Sequence, residues 1–380
     1  MRVLVLNPGS STLKAAVLEP PAVAPLASAE VERGSDASRQ EDASDAVRRA
    51  LDAVGLDRGQ APTITAVGYR VAHGGTRLTA PLVVDDGVLA EIESLSPLAP
   101  LHNPVAAATI RAGRTLLPAA THVAAFDTAF HATLPDDAIR YAVPARWAAE
   151  WGVRRFGFHG LSVQWATRRT AEILGRAAGD LGILVAHLGS GCSVTAVEGG
   201  RSVDTSMGMT PLEGLVMGTR AGSIDPGILL GLLRDEHLGL DELAEDLDHA
   251  AGLLGLSGRS ADVRELLAAE AAGDEAARLA LAVFVRRAAA GIAAAATALR
   301  RVDAIVFTGG IGQHSGPLRR RILGRLGALG VDSAFAADAD RPSDLGDWSL
   351  AARTGPSVVI VAAREDVVIA EAAAELAGSG

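Results

Sequence analysis

The sequence predicts an α/β protein built as two similar halves, and three observations carry that reading. Strand-like apolar runs alternate with helix-like runs along the whole of the 380 residues. Two distant stretches, "RVLVLNPGSSTLKAAVL" (2–18) and "LGILVAHLGSGCSVTAVEGGRSVDTS" (181–206), share one layout of strand, tight Gly/Ser turn and second strand. Hydrophobic residues make up 49% of the chain, enough for two sizeable cores at this length. No short-period repeat is present, so the shared openings read as a distant internal duplication. Two such halves leave a central cleft, and ligands of open α/β sheets bind at the carboxyl ends of strands.

In the first half, the hairpin of 2–18 precedes a stretch of helical spacing, 41–55, that closes on Gly55. "TITAVGYRVAHGG" (63–75) reads as a strand ending in a glycine loop. "NPVAAATIRAGRTLL" (103–117) reads as a helix with Asn103 as N-cap and Pro104 at the first helical position. A strand over 121–131 carries Asp127 at its end. The second half begins near residue 131. It contains a helix over 162–175, the strands of 181–206, and a helix over 225–236 opened by Asp225 and Pro226. A long apolar helix over 274–301, strands over 303–312 and 357–363, and a helix over 365–377 complete it. Asn7, Arg70, Asp127, His187 and Gly309 all fall at predicted strand ends.

Composition narrows the functional classes. The net charge is −10 with no concentrated basic stripe, which argues against a nucleic-acid partner. No run of about 18 apolar residues is free of charge, so no membrane span is expected. The N-terminus enters a strand pattern at once, without a signal-peptide layout, and the single Cys192 leaves no internal disulfide. A cytosolic protein is the expectation. Among 35 basic residues only Lys14 is a lysine. A compact ammonium is kept where a guanidinium fork does not fit; chance survival in an arginine-rich composition is the alternative.

Four glycine-rich turns could cradle phosphate with backbone N–H groups: "NPGSST" (7–12), "HLGSG" (187–191), "MGTRAGSIDPG" (217–227) and "TGGIG" (308–312). None has the order of a Walker A loop. Arg70 and Arg220 lie beside these loops and could clamp a carboxylate and a phosphoryl group, although either alone reads equally as half of a surface ion pair. Asp127 and Glu365 are candidate acidic groups near a metal, which Asn7 could reach through water. His159, in "FGFHGLS", is either a site residue or a hydrogen-bonded core histidine, and His73 and His102 share that ambiguity. No cluster has zinc spacing, and no G-x-S-x-G elbow occurs. Cys192 has no adjacent base and reads as a small turn residue.

These residues stand in stretches that resemble the acetate and propionate kinase family over essentially the whole chain. The resemblance rests on "LVLNPGSSTLK" (4–14), "RVAHGG" (70–75), "PLHNP" (100–104), "FDTAFH" (126–131), "RRFGFHGLS" (154–162), "HLGSGCS" (187–193), "DTSMGMTPLEGLVMGTRAGSIDPGI" (204–228), "GLLGLSGRSADVR" (252–264) and "FTGGIG" (307–312). It implies the duplicated actin-like ATPase fold of acetate and sugar kinases, the heat-shock chaperone ATPase and actin. The domains would be 1–130 plus 366–380, and 131–365. The implied reaction is ATP plus acetate giving ADP and acetyl phosphate, by direct in-line transfer with magnesium, or manganese in its place. The resemblance gives Asn7 and Glu365 to the metal, and Lys14 and Ser10 to the phosphates. It gives Arg70 and Arg220 to the carboxylate and the moving phosphoryl group, Asp127 the part of catalytic acid, and His159 a contact to the phosphoryl group. His187, Leu188, Gly189, Ser190 and Gly191 would line the ATP site with Asp262, Val263, Arg264, Gly310, Ile311, Gly312, Gln313 and His314. Ala72, Leu101, Phe158 and Pro211 would surround the alkyl group.

The sequence departs from the family pattern at five places. Ser190 stands where Asn is usual, Gln313-His314 where Glu-Asn is usual, and Arg364 where Asn precedes the glutamate. Val163 replaces a histidine, and Ala72 replaces a valine on the acyl side. A homodimer through the second domain is implied, with helix 274–301 as a candidate face. The rival readings are a propionate or butyrate kinase, and a nucleotide-binding regulator that has lost catalysis.

Overall fold

The computed structural model describes residues 1–9, 12–33, 40–56, 64–332, 346–350 and 355–379. The chain divides into two compact units. Unit 1 comprises Met1–Ala132, Phe158–Trp165 and Arg364–Gly380, and unit 2 comprises Thr133–Gly157 and Ala166–Ala363.

Unit 1 holds strands β1 (Arg2–Pro8), β2 (Thr12–Leu18), β3 (Ala27–Glu32), β4 (Ile64–Val71), β5 (Leu82–Val83) and β6 (Thr121–Phe126), in the order β3-β2-β1-β4-β6-β5. Unit 2 holds β7 (Gly182–Leu188), β8 (Cys192–Glu198), β9 (Arg201–Thr205), β10 (Ala304–Thr308), β11 (Trp348–Leu350) and β12 (Ser357–Ile360), in the order β11-β12-β10-β7-β8-β9. The two orders are the same pattern. In each, a first strand pairs antiparallel with a second, which pairs antiparallel with a third. The first strand also heads three parallel strands, β1-β4-β6 or β7-β10-β12. An antiparallel edge strand closes each sheet. The duplication expected from the two hairpins is present strand for strand.

The central parallel strands are buried almost without interruption, as strands covered on both faces must be. In unit 1, Leu4, Leu6, Val67, Tyr69 and Val71 form one core with Val47 and Leu51 of helix Gln40–Ala53 and Ile110 of helix Asn103–Leu116. The opposite face receives helix Glu365–Gly378. A Cβ on Gly68 would sit 2.4 Å from Ile369 Cγ2, so glycine there lets that helix lie against β4.

Helix Glu275–Ala296 is long and apolar enough to cross a membrane by length and composition. It nonetheless packs within unit 2 through Leu281, Phe284, Val285, Ala288 and Ile292, all buried, which is the behaviour of a core helix.

Several predicted boundaries move. The expected strand 121–131 stops at Phe126 and turns into a 3-10 segment, Ala129–Thr133. The expected strand 303–312 stops at Thr308, because Gly309 takes φ +75° and turns the chain into helix Gly309–His314. Helix 274–301 is shorter at its end, closing at Ala296. Asn103 does not cap its helix: His102 occupies the cap position, and the buried Asn103 side chain is committed elsewhere.

Candidate active site

In unit 1 the strand ends gather charge. Arg70, near the end of β4, holds Asp127, just past the end of the adjacent β6, with a two-pronged fork: Nη2 to Oδ2 at 2.6 Å and Nε to Oδ1 at 3.1 Å. The same guanidinium lies 3.5 Å from Glu365 Oε2 and donates from Nη1 to Asn7 Oδ1 at 3.5 Å. Asn7 Nδ2 in turn donates to Glu365 Oε2 at 2.9 Å. Four residues that are up to 358 positions apart in sequence thus form one hydrogen-bonded unit.

Burial sets the electrostatics of this unit. It lowers the Arg70 guanidinium, but the charges of Asp127 and Glu365 and the hydrogen bonds donated to Asp127 outweigh it and leave Arg70 more basic than an ordinary arginine. The Asp127 carboxyl is pushed up by burial; Arg70 opposes that, and Glu365 adds to it. The His159 N–H also donates to this carboxylate. A buried carboxylate with both oxygens committed is fixed in direction.

The segment carrying Phe158 and His159 packs on the same strand ends. Gly160 N–H donates to the Asp127 carbonyl at 2.9 Å. Phe158 is buried, and its ring meets the His73 ring edge-on at 5.5 Å. His73 is itself held by Asn103, whose Oδ1 accepts from the His73 N–H and whose Nδ2 donates to the His73 carbonyl. Ala72, beside His73, and Leu101, two residues before Asn103, are partly exposed. Lys14 is exposed on β2, in register with Asn7 of β1 and Glu30 of β3. Ser10 lies outside the described residues.

In unit 2 the matching strand ends carry glycine turns. Gly189 N–H closes the 189–191 turn on the Gly191 carbonyl at 2.9 Å. A Cβ on Gly309 would lie 2.7 Å from the Leu188 carbonyl, so the turn after β10 and the turn after β7 run side by side. On the other flank Gly218 N–H donates to the Ser190 carbonyl, and a Cβ on Gly218 would touch Ala261. The structure thereby brings together His187–Gly191, Gly310–His314, the loop that holds Arg220, and Asp262–Arg264. Asp262 caps helix Val263–Ala271 through the Arg264 N–H and is also forked by the Arg264 side chain. Arg220 lies 3.6 Å from Asp248. Its Nε is buried without a hydrogen-bond partner among the described residues. Burial makes this guanidinium less basic than usual, against the pull of Asp248. Pro211, also in unit 2, is partly exposed. Cys192 is buried, its thiol pushed up to about 12 by burial, which makes it unreactive.

Sequence reasoning missed two supporting residues. Asn103 was legible only as a cap, and nothing in the pattern tied it to a backbone 30 residues away. His131 stands in the "FDTAFH" stretch without an assigned role; here it is buried, with Nε2 2.9 Å from the Phe158 carbonyl.

A twice-repeated sheet order, with charged side chains at the strand ends of unit 1 and glycine turns at those of unit 2, gives the class as a duplicated α/β fold, as the resemblance to acetate and sugar kinases implies. Within that class the chain belongs to the acetokinase family, whose model matches residues 2–371. It is 44% identical over 400 aligned residues to the acetate kinase of Deinococcus radiodurans, covering 100% of this chain and 98% of the relative. Among solved structures it resembles an acetate kinase from Porphyromonas gingivalis, with TM-score 0.87, 33% identity and 99% of both chains covered. It resembles a propionate kinase from Francisella tularensis equally well, with TM-score 0.87, 32% identity and 99% of both chains covered.

The buried His131 imidazole sets one measurable property. Burial lowers its pKa from 6.5 to about 4, against the hydrogen bond to Phe158. Between those values the unfolded chain takes up a proton that the folded protein refuses. The contribution is therefore full above pH ~6.5 and is lost as pH falls toward ~4, amounting to about 3 kcal/mol. Urea unfolding across this range should show stability falling with pH, and falling less steeply in His131→Gln. An unchanged slope in the variant would remove His131 from the acid response.

Proposed function

We propose that this chain transfers the γ-phosphoryl group of ATP to the carboxylate of acetate, giving acetyl phosphate and ADP, reversibly and by direct in-line displacement. The observation that carries the reading is the bonded unit of Arg70, Asp127, Asn7 and Glu365 at adjacent parallel strand ends. Phosphoryl transfer asks little covalent chemistry of a protein; it asks for positioning and for positive charge around the spreading negative charge. Arg70 supplies fixed charge, with Asp127 as its orienting partner. Arg220, a partly buried guanidinium whose Nε makes no hydrogen bond among the described residues and lies 3.6 Å from Asp248, is suited to an anion. His159 contacts the phosphoryl group in this reading. The glycine turns at 187–191 and 310–314, with Asp262, Val263 and Arg264, hold the nucleotide, and Lys14 and Ser10 reach its phosphates. The acceptor is already a carboxylate, so no strong base is needed to create a nucleophile.

Magnesium, or manganese in its place, completes the reading. Among the described residues no group of three or more His, Cys, Asp or Glu could hold a metal by itself. The Glu365 carboxylate, held by the Asn7 amide N–H, nevertheless fits the sparse protein ligation of magnesium, which is held by one or two carboxylates together with substrate phosphates. Bound there, it would neutralise charge on the phosphate oxygens.

The reading also includes a cytosolic homodimer formed through unit 2. Helix Pro226–Arg234 supports the dimer better than the core helix Glu275–Ala296 does: it has no buried residue, with Ile228 55% and Leu230 58% exposed.

Trapping the product with hydroxylamine tests the activity: ATP and acetate should yield an acyl hydroxamate, and a nucleotide-binding regulator would yield none. Arg70→Ala and Arg220→Ala should each lower kcat by about 10²-fold or more, as loss of a preorganised donor does. Near-full kcat in either variant would remove that arginine from the chemistry.

The acyl preference follows from Ala72. A residue two methyl groups smaller than valine leaves room for about one methylene, whose burial gains about 0.8 kcal/mol. Pocket discrimination of this kind is worth about 10- to 200-fold. Propionate should therefore be used at least comparably to acetate, and Ala72→Val should restore an acetate preference in kcat/KM. Strong acetate selectivity in the wild type, unchanged in the variant, would show that residue 72 does not size the pocket.

A further inference from the structure

Phe158 and His159 arrive on a backbone that needs support. His159 takes φ +59°, a left-handed conformation that its Cβ disfavours. Such a residue persists only where the surroundings fix the chain on both sides. On the C-terminal side, Gly160 N–H bonds the Asp127 carbonyl at 2.9 Å, and a Cβ on Gly160 would lie 2.1 Å from that oxygen. On the N-terminal side, the Phe158 carbonyl lies 2.9 Å from His131 Nε2. A carbonyl only accepts, so His131 carries its proton on Nε2. The His131 N–H is itself bonded to the Thr128 carbonyl at 3.1 Å, so the short stretch 127–131 grips 158–160 at both ends. The imidazole is 1% exposed. Because burial keeps it neutral until about pH 4, the donor keeps this form at neutral pH.

We propose that His131 is a positioning residue for phosphoryl transfer: its Nε2–H fixes the Phe158 carbonyl and so holds the His159 imidazole and the Phe158 ring in their working places. This rests on the reading of His159 as a contact to the phosphoryl group. It adds a residue that touches neither substrate and acts only through the backbone ahead of His159.

The test is a set of kinetic constants for His131→Leu, His131→Gln, His159→Ala and the double variant His131→Leu/His159→Ala. His131→Leu keeps the volume and removes the donor. It should lower kcat about 10²-fold, the scale of a misplaced reacting group. It should also raise the KM for acetate through Phe158, while leaving the KM for ATP within about twofold. Glutamine, whose amide N–H can reach the same carbonyl, should recover most of the loss. If His131 acts on kcat through His159, the kcat of the double variant should be no lower than that of His159→Ala alone, because coupled residues do not add. His131→Met serves as a second non-donating variant should the leucine not fold. Wild-type constants in a folded non-donating variant, or kcat losses that multiply in the double variant, would overturn the proposal while leaving the reading of His159 intact. Wild-type activity in His159→Ala would overturn that reading, and the proposal with it.

Discussion

Everything at the charged strand ends depends on one contact, the fork of Arg70 on Asp127. Asp127 is 1% exposed, and burying an ion pair costs several kcal/mol per ion unless geometry and further hydrogen bonds offset it. Here they are supplied: Glu365 and Asn7 on the guanidinium, and the His159 N–H on the carboxylate. Removing Arg70 would leave the buried Asp127 carboxylate without its cation, which is why the pair is best viewed as a single object. Its place follows from topology. β4 and β6 are neighbouring parallel strands, so their carboxyl ends emerge side by side, and a residue at each can meet without a long loop. The backbone of Asp127 is used as well, since its carbonyl anchors Gly160.

The duplication explains how one topology yields two chemistries. β1 and β7 occupy equivalent positions, each leading through a tight turn into an antiparallel partner. Asn7 stands near the end of the first and His187 near the end of the second. At the end of β4 the chain places Arg70; past the end of the equivalent β10 it places Gly309 at positive φ. One half therefore presents fixed charge and the other presents backbone at close approach. Fixed charge suits a carboxylate or a phosphoryl group, and backbone N–H groups suit phosphates, which is the division that the proposed function uses.

Much of this was legible in the sequence, because strand-turn-strand layouts and terminal glycines are local signals. The two hairpins gave the duplication, and all five residues placed at predicted strand ends lie at or next to strand ends. What failed was tertiary. Asn103 followed by Pro104 is a sound capping signal, yet the buried amide bonds His73 instead. The run 303–312 is apolar enough to read as strand to its end, but Gly309 bends it into a helix. Arg70 and Asp127 could be nominated one by one; that they face each other depends on strand order, which periodicity does not encode. His131 was invisible for the same reason, since its value lies in a carbonyl 27 residues away.

The central claim is that the Arg70–Asp127 pair organises charge and that no group of the protein takes the phosphoryl group covalently. Both oxygens of Asp127 are engaged by Arg70, and in the proposed reaction the substrate carboxylate is itself the nucleophile. The direct measurement is the stereochemical course of transfer from ATP made chiral at the γ-phosphorus with oxygen isotopes. A single in-line displacement predicts inversion of configuration in acetyl phosphate. Retention would mean two displacements through a phosphorylated side chain, and would contradict the account.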